Sequence, residues 1–138
     1  MNATFVTASR EPKPSDITWA HVIYALHAVG VSVGVATSAF VVTSFLFGLP
    51  SIVAVILNYL KRSDVTGTFL ESHFRWQIRT FWFALLWIVV ASLLSFPLML
   101  VLIGFVTLWV AAVLIGLWVL YRVIRGWMRL LSREPMYR

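Results

Sequence analysis

The chain of 138 residues contains no cysteine, and only 12% of its residues carry a charged side chain. The absence of cysteine excludes disulfides, thiol nucleophiles and thiolate metal sites. The low charge is unlike that of soluble domains, in which about 25% of residues are charged. A small soluble fold could not bury the hydrophobic residues that make up 61% of the chain, because small domains bury the smallest fraction of their surface. The composition predicts one domain embedded in lipid.

Acidic residues are scarce too, and none lies in the two longest apolar stretches, 17–60 and 80–121. Proton relays and cation pathways in membranes usually depend on buried acidic side chains, so the sequence argues against an ion-coupled pump. No grouping of residues suggests a nucleophile, base and acid set. We therefore expect no catalytic residue, no metal site and no cofactor, and we expect that the protein is not an enzyme.

Each of the two stretches lacks Lys, Arg, Asp and Glu and is long enough for two membrane spans, since one span needs about 20 residues. Pro97 predicts the turn in the second stretch, because the residue before a proline disfavours helix. In the first stretch, a turn near 37–41 leaves two spans of ordinary length and makes Pro50 a kink. A turn at 48–50 is the alternative, but it leaves the second span short. The predicted spans are about 17–37, 41–60, 77–95 and 98–121.

The basic residues are confined to three segments of the chain. They are Arg10 and Lys13 near the N-terminus, Lys61, Arg62, Arg75 and Arg79 in the middle, and Arg122, Arg125, Arg129, Arg133 and Arg138 at the C-terminus. Two hairpins place all three segments on one side of the membrane, and the positive-inside rule makes that side cytoplasmic. We predict a multi-pass membrane protein with both termini in the cytoplasm. The basic residues flank apolar runs, so we expect membrane lipid and no nucleic acid as a partner.

The predicted fold is all-α, a polytopic membrane protein with four transmembrane helices arranged as two hairpins. Residues 1–16 are expected to form a disordered cytoplasmic tail without the pattern of a signal peptide. Residues 17–138 form the transmembrane domain. Within it, 61–76 is a cytoplasmic loop and 122–138 is a basic amphipathic extension whose arginines reach lipid headgroups.

The loop and the start of the third helix hold most of the internal polar side chains. Thr68 and Glu71 have the spacing of a capping box, in which a Thr oxygen and a Glu carboxylate accept hydrogen bonds from the first helical amides. Glu71, Arg75 and Arg79 follow at spacings of four, which allows an ion pair along one stripe. This pattern predicts a docking surface for a protein partner or a headgroup; a solvated helix start whose arginines serve topology is the alternative. The candidate docking residues are Lys61, Arg62, Asp64, Glu71, His73, Arg75, Gln77 and Arg79.

His27 is the candidate polar residue inside the membrane, about 15 Å along the first span. An ionisable side chain at that depth is a functional candidate. The simpler interpretation is a neutral imidazole hydrogen-bonded to a Ser, Thr or Tyr on a neighbouring helix. Ligation of a haem by paired histidines, such as His21 and His73 nearer the cytoplasm, is the least favoured reading.

Small residues at a spacing of four predict close helix packing, either within the bundle or in a homo-oligomer. Such spacing lets two helix backbones approach each other in lipid. The candidate packing residues are Gly30 and Gly34 in the first span and Ala112 and Gly116 in the fourth.

The second span contains Pro50 and is followed by the loop Lys61-Arg62-Ser63-Asp64, and His73 and the pair Trp76-Gln77 lead into the third span. In these motifs, and over most of residues 17–136, the chain resembles the Tic-twenty-like family of small bacterial four-helix membrane proteins, related to an import component of the chloroplast inner envelope, and we therefore expect it in the bacterial inner membrane. The ending "YRVIRGWMRLLSREPMYR" also resembles that of the family. The resemblance implies a helical membrane protein without a demonstrated catalytic role, whose relatives are linked to protein import and to mineral growth in magnetosomes.

These observations lead to one functional expectation and one alternative. We expect a non-enzymatic accessory or assembly component that docks a partner through its cytoplasmic loop. The alternative is a small channel or transporter subunit that is active as a homo-oligomer.

Overall fold

The structure is a computed structural model that describes residues 10–36 and 41–137, without the side chains of 41–47. Helix accounts for 85% of the chain, and the described residues contain no strand, so the prediction of an all-α fold is confirmed. The helices are α1 (Pro14–Ala36), α2 (Val41–Lys61), α3 (Phe69–Leu98) and α4 (Ile103–Leu131).

Within the described residues, three helical segments are long and apolar enough to cross a membrane: α1, α3 with the short 3-10 turn that follows it, and α4. The part of α2 whose side chains are described, Gly48–Lys61, is a shorter apolar helix. Pro50 lies inside α2. The first predicted turn falls largely on residues 37–40, which lie outside the described residues. The four α-helices of the structure fit the predicted arrangement of four helical spans.

The second turn lies later in the chain than the predicted break at Pro97. Helix α3 continues through Pro97 to Leu98, and the chain then reverses through Met99–Val101 and Leu102. Leu102 adopts a left-handed conformation with φ of 62°, which ends the helical path. Pro97 is tolerated because the bias against helix before a proline is a preference that local packing can override. The turn is tight: a Cβ atom on Gly104 would overlap the backbone of Ser95 and Met99.

Helix α1 packs against α2 and α4, and α3 packs mainly against α4, whereas α2 and α3 touch sparsely. The buried core lies where α1 and α3 begin and α2 and α4 end, and it includes Ile23, Leu70, Phe74 and Leu130. Farther along α3 and α4, large apolar side chains such as Trp87 remain exposed. An apolar outer surface of this kind is what lipid contact requires.

Two glycines of α4 allow its close contact with α1. A Cβ atom on Gly116 would overlap the side chain of Val35, and one on Gly126 would overlap the ring and hydroxyl of Tyr24. Gly34 differs, because a Cβ atom there would meet nothing within 4 Å. All four predicted packing residues line a cavity inside the bundle, and Gly116 in addition sits at an α1–α4 contact.

Candidate functional site

His73, in the second turn of α3, joins three parts of the chain and is completely buried. Its Nε2 lies 2.7 Å from the main-chain oxygen of Glu134, and its Nδ1 lies 2.9 Å from the hydroxyl of Tyr24. A carbonyl oxygen can only accept, so Nε2 carries the hydrogen and Nδ1 accepts from the Tyr24 hydroxyl. The geometry thus sets one neutral tautomer. We call Tyr24, His73 and the Glu134 carbonyl the His73 network.

Residues 132–137 fold back from the end of α4 onto the start of α3, and we call them the C-terminal clasp. The Met136 amide donates to Ser72 Oγ over 2.9 Å, and Arg129 Nη1 donates to the Pro135 carbonyl over 3.1 Å. The Tyr137 ring meets Trp76 edge to face, with 5.8 Å between the ring centres. The clasp therefore covers the first two turns of α3 and ties them to the end of α4.

Arg122 is half-buried and packs against α3, although the sequence predicted that it reaches lipid headgroups. Its guanidinium carbon lies 3.6 Å from the centre of the Trp76 ring, and its Nε donates to Thr80 Oγ1 over 2.8 Å. Trp76 Nε1 in turn donates to the Arg122 carbonyl over 3.1 Å. The reason for the difference is that α3 offers a ring face and a hydroxyl at this level, which together bind a guanidinium directly.

Four of the eight candidate docking residues surround a shallow concavity of about 220 Å³. We call it the basic concavity; it is lined by Arg62, Glu71, Arg75, Ile78 and Arg79. Glu71 and Arg75 form an ion pair at 3.0 Å, as their spacing suggested. In the described part of the chain, Arg62 and Arg79 form no ion pair with a carboxylate.

The other four candidate docking residues lie elsewhere. Lys61 and Asp64 pair with each other at 3.2 Å. His73 and Gln77 are buried and do not contribute to the exposed surface. They occupy the face of α3 that also carries Leu70 and Phe74, so the two polar stripes predicted for α3 point in different directions, one outward and one into the bundle.

The capping box predicted for Thr68 and Glu71 does not form as expected. The Thr68 hydroxyl donates to the Val65 carbonyl over 2.7 Å and caps no amide of α3. The Glu71 carboxylate accepts from the amide of Gly67 over 2.9 Å. Gly67 has φ of 77°, a conformation that favours glycine. This turn directs the Gly67 amide at the Glu71 carboxylate, whereas the capping box predicted that the Thr68 amide would be the donor.

A second cavity, of about 590 Å³, lies inside the bundle and is lined by residues of all four helices. We call it the bundle cavity. His27 and Gln77 line it, and they are only 5% and 2% exposed. Gln77 lies beside the Tyr24 hydroxyl, but neither of its amide atoms makes a hydrogen bond with a described residue, and His27 Nε2 makes none either. The hydrogen bond expected for His27 from a neighbouring helix is therefore not seen at this nitrogen.

The histidines are not arranged as a pair that could ligate haem. Both ring nitrogens of His73 take part in the His73 network, and His21 Nδ1 accepts from Trp127 Nε1 over 3.0 Å. Among the described residues there is no group of three or more His, Asp or Glu side chains that could hold a metal ion.

Sequence reasoning missed several polar residues of the site. Tyr24, Thr80 and Arg122 all bind across helices, and Asn58 of α2 is fully buried with neither amide atom paired to a described residue. The available signal for Asn58, Thr80 and Arg122 was their position, because each is a polar residue at the end of an apolar run near the basic segments, whereas Tyr24 lies within such a run.

Comparison of the chain with protein-family models, with curated proteins and with solved structures finds no match. A functional interpretation therefore rests on the chemistry of the chain itself.

Proposed function

We propose that this protein is an integral protein of the bacterial inner membrane that acts as a non-enzymatic accessory component, docking an acidic segment of a partner protein in its basic concavity. The observation that carries the proposal is the grouping of three exposed arginines around one half-buried glutamate. Guanidinium groups bind carboxylates in a planar, bidentate way that favours a specific partner over diffuse charge attraction.

The support beneath the basic concavity favours docking over a purely topological role. Arg75 and Arg79 stand on the outer side of the part of α3 whose inner side carries His73 and Gln77. The His73 network and the C-terminal clasp hold that part of α3 against α1 and the end of α4. Binding groups on an element that is already fixed lose little further freedom when a partner binds.

The resemblance to the Tic-twenty-like family is part of the same proposal. Of the residues that carry it, Arg62 lines the basic concavity, and His73 and the pair Trp76-Gln77 lie on the same part of α3 as Arg75 and Arg79. Relatives linked to protein import would use such a surface for assembly with other proteins, and we extend that role to this chain as a proposal.

Membrane topology provides the first test. Reporter fusions at both termini and an insertion at Ser63 should give cytoplasmic signals, since all basic segments then lie on the inner side. An insertion at Leu100, in the turn between α3 and α4, should give an external signal. The measurement is paired alkaline phosphatase and fluorescent protein reporters. Opposite signals from the two termini would reject an even number of spans and would place the basic concavity on the wrong side.

The docking proposal is tested with the protein in nanodiscs of neutral phosphatidylcholine and a fluorescent hexaglutamate peptide as the probe. Arg75→Lys and Arg79→Lys keep the charge but lose the planar fork. We expect each to weaken peptide binding about five- to tenfold, or about 1–1.4 kcal/mol. Lys61→Arg, on a residue paired with Asp64 outside the basic concavity, should leave binding unchanged. Fluorescence anisotropy measures the affinities.

Two outcomes would overturn the docking proposal. One is equal peptide binding by the wild type and all three variants, which would leave the arginines a topological role. The other is complete displacement of the peptide when one tenth of the phosphatidylcholine is replaced by phosphatidylglycerol, since the concavity would then be a site for anionic lipid headgroups.

A further inference from the structure

The bundle cavity has the size of a ligand site. Protein interiors contain few voids larger than a water molecule, whereas sites for small ligands measure roughly 300–1,000 Å³. At about 590 Å³, the cavity falls within that range. Helices α1 and α4, which pack closely, form its back, while α2 and α3, which touch sparsely, form its two walls. A molecule dissolved in the membrane can therefore enter it from the side.

One end of the bundle cavity offers unpaired hydrogen-bonding groups. Gln77 presents an amide oxygen and His27 presents Nε2, both without a partner among the described residues, while the Gln77 amide nitrogen lies beside the Tyr24 hydroxyl. Native proteins leave few buried polar groups unpaired, because each loses its bonds to water without replacement. The Gln77 amide oxygen and His27 Nε2 are thus two groups at one cavity whose partners a bound molecule would supply.

The opposite end of the bundle cavity is apolar. It is lined by Gly34, Val35, Ile88 and Ala112. The residues of α1 that line the cavity run from Tyr24 to Val35, which corresponds to about 16 Å along the helix axis. A Cβ atom on Gly34 would meet open space, so the helix backbone itself forms the wall there. This end fits a hydrocarbon chain.

Among the described residues that line the cavity there is no Asp, Glu, Lys or Arg. A charged headgroup buried against these residues would lose its hydration without gaining an opposite charge, so the molecule that binds here is neutral at its buried end. A hydroxyl group can donate to the Gln77 amide oxygen and accept from the amide nitrogen or from the imidazole. It satisfies this set of atoms better than a group that only accepts.

We propose that the bundle cavity binds a neutral membrane lipid that bears a hydroxyl group, with the hydroxyl between Gln77 and His27 and the hydrocarbon chain beside Gly34. This site is separate from the basic concavity. Failure of either proposal leaves the other standing.

Photolabelling tests the proposal with full-length protein in nanodiscs and a diazirine analogue of hexadecanol as the probe. Mass spectrometry of the labelled peptides should locate the label on the cavity-lining parts of α1 and α3. Oleyl alcohol should compete at least tenfold better than 1-octadecene, which has the same chain length without the hydroxyl, and tenfold better than oleate, whose headgroup is charged.

Two variants test separately the binding of the lipid's hydrocarbon chain and the binding of its hydroxyl group. Gly34→Leu fills the apolar end and should reduce labelling about tenfold, while Val29→Leu, at a position of α1 that is 56% exposed, should label like the wild type. Gln77→Met keeps the side-chain length and removes the amide, so it should still be labelled but should bind oleyl alcohol and octadecene equally. The Gln77 comparison decides the matter even if Gly34→Leu fails to fold. Undiminished labelling of Gly34→Leu, or equal competition by octadecene in the wild type, would overturn the proposal.

Discussion

Replacement of His73 by alanine should lower the free energy of unfolding by about 3–5 kcal/mol, mainly from a cavity in the core and the loss of the hydrogen bond to the buried Tyr24 hydroxyl. The Tyr24 hydroxyl would lose its partner in a site closed to water, whereas Glu134 is exposed, so water can replace the bond to its carbonyl. Unfolding by dodecyl sulfate in mixed micelles, followed by tryptophan fluorescence, measures the change.

The same variant should release the C-terminal clasp. Arg133 lies within it, so trypsin should cut after Arg133 roughly tenfold faster in the variant than in the wild type, in proportion to the population of the open form. His21→Ala is the matched control, because His21 accepts a single bond from Trp127 and its loss should cost about 1 kcal/mol. Equal losses for the two histidines, with unchanged cleavage, would show that His73 does not connect the three segments.

Replacement of Gly126 by alanine should destabilise the protein by about 1–3 kcal/mol, the usual cost of forcing a methyl group into a packed interior. The new Cβ would overlap the Tyr24 ring, and that ring is fully buried and held by His73. It also stacks on Trp127 with 6.4 Å between the ring centres. Tyr24 therefore has little room to move aside.

Gly34→Ala is the control for Gly126→Ala, since both replace a helical glycine. Alanine alone favours a helix by up to about 1 kcal/mol over glycine. At Gly34 the methyl group meets open space, so that variant should be as stable as the wild type or slightly more stable. The difference between the two isolates the contact with Tyr24. Similar effects at the two sites would refute the close approach of α1 and α4 at Gly126.

The helices could be predicted from sequence because long uncharged runs have one stable form in lipid, and that form is a helix. The turn at Leu102 could not, because it depends on a left-handed residue that is not glycine and on the fit of Gly104 against the end of α3. The spacing around Thr68 correctly suggested a helix start. It could not show that the left-handed Gly67 would supply the amide that Glu71 accepts.

The burial of His73 and Gln77 could not be predicted from residue spacing either. Spacing shows that two residues share a face of α3, but the packing of the other helices decides which face is covered. The partners of His73 are 49 and 61 residues away in the chain, so no local pattern reports them. Glu71 and Arg75 are one turn apart, and their pairing was predicted for that reason.

The apolar turn between α3 and α4 affects which bilayer thickness suits the protein. From Arg79 to Leu98, α3 extends about 29 Å, close to the roughly 30 Å of hydrocarbon in an average bilayer. Its tip exposes Phe96, Leu100 and Leu102 at 74%, 90% and 73%, with no polar side chain to rest among headgroups. A thin bilayer would push these residues into water, and a thick one would cover them. We therefore expect the protein to accumulate in the thickest parts of the membrane, because the turn avoids water there. At the other end of the bundle, tryptophan and arginine side chains anchor the helices at the interface.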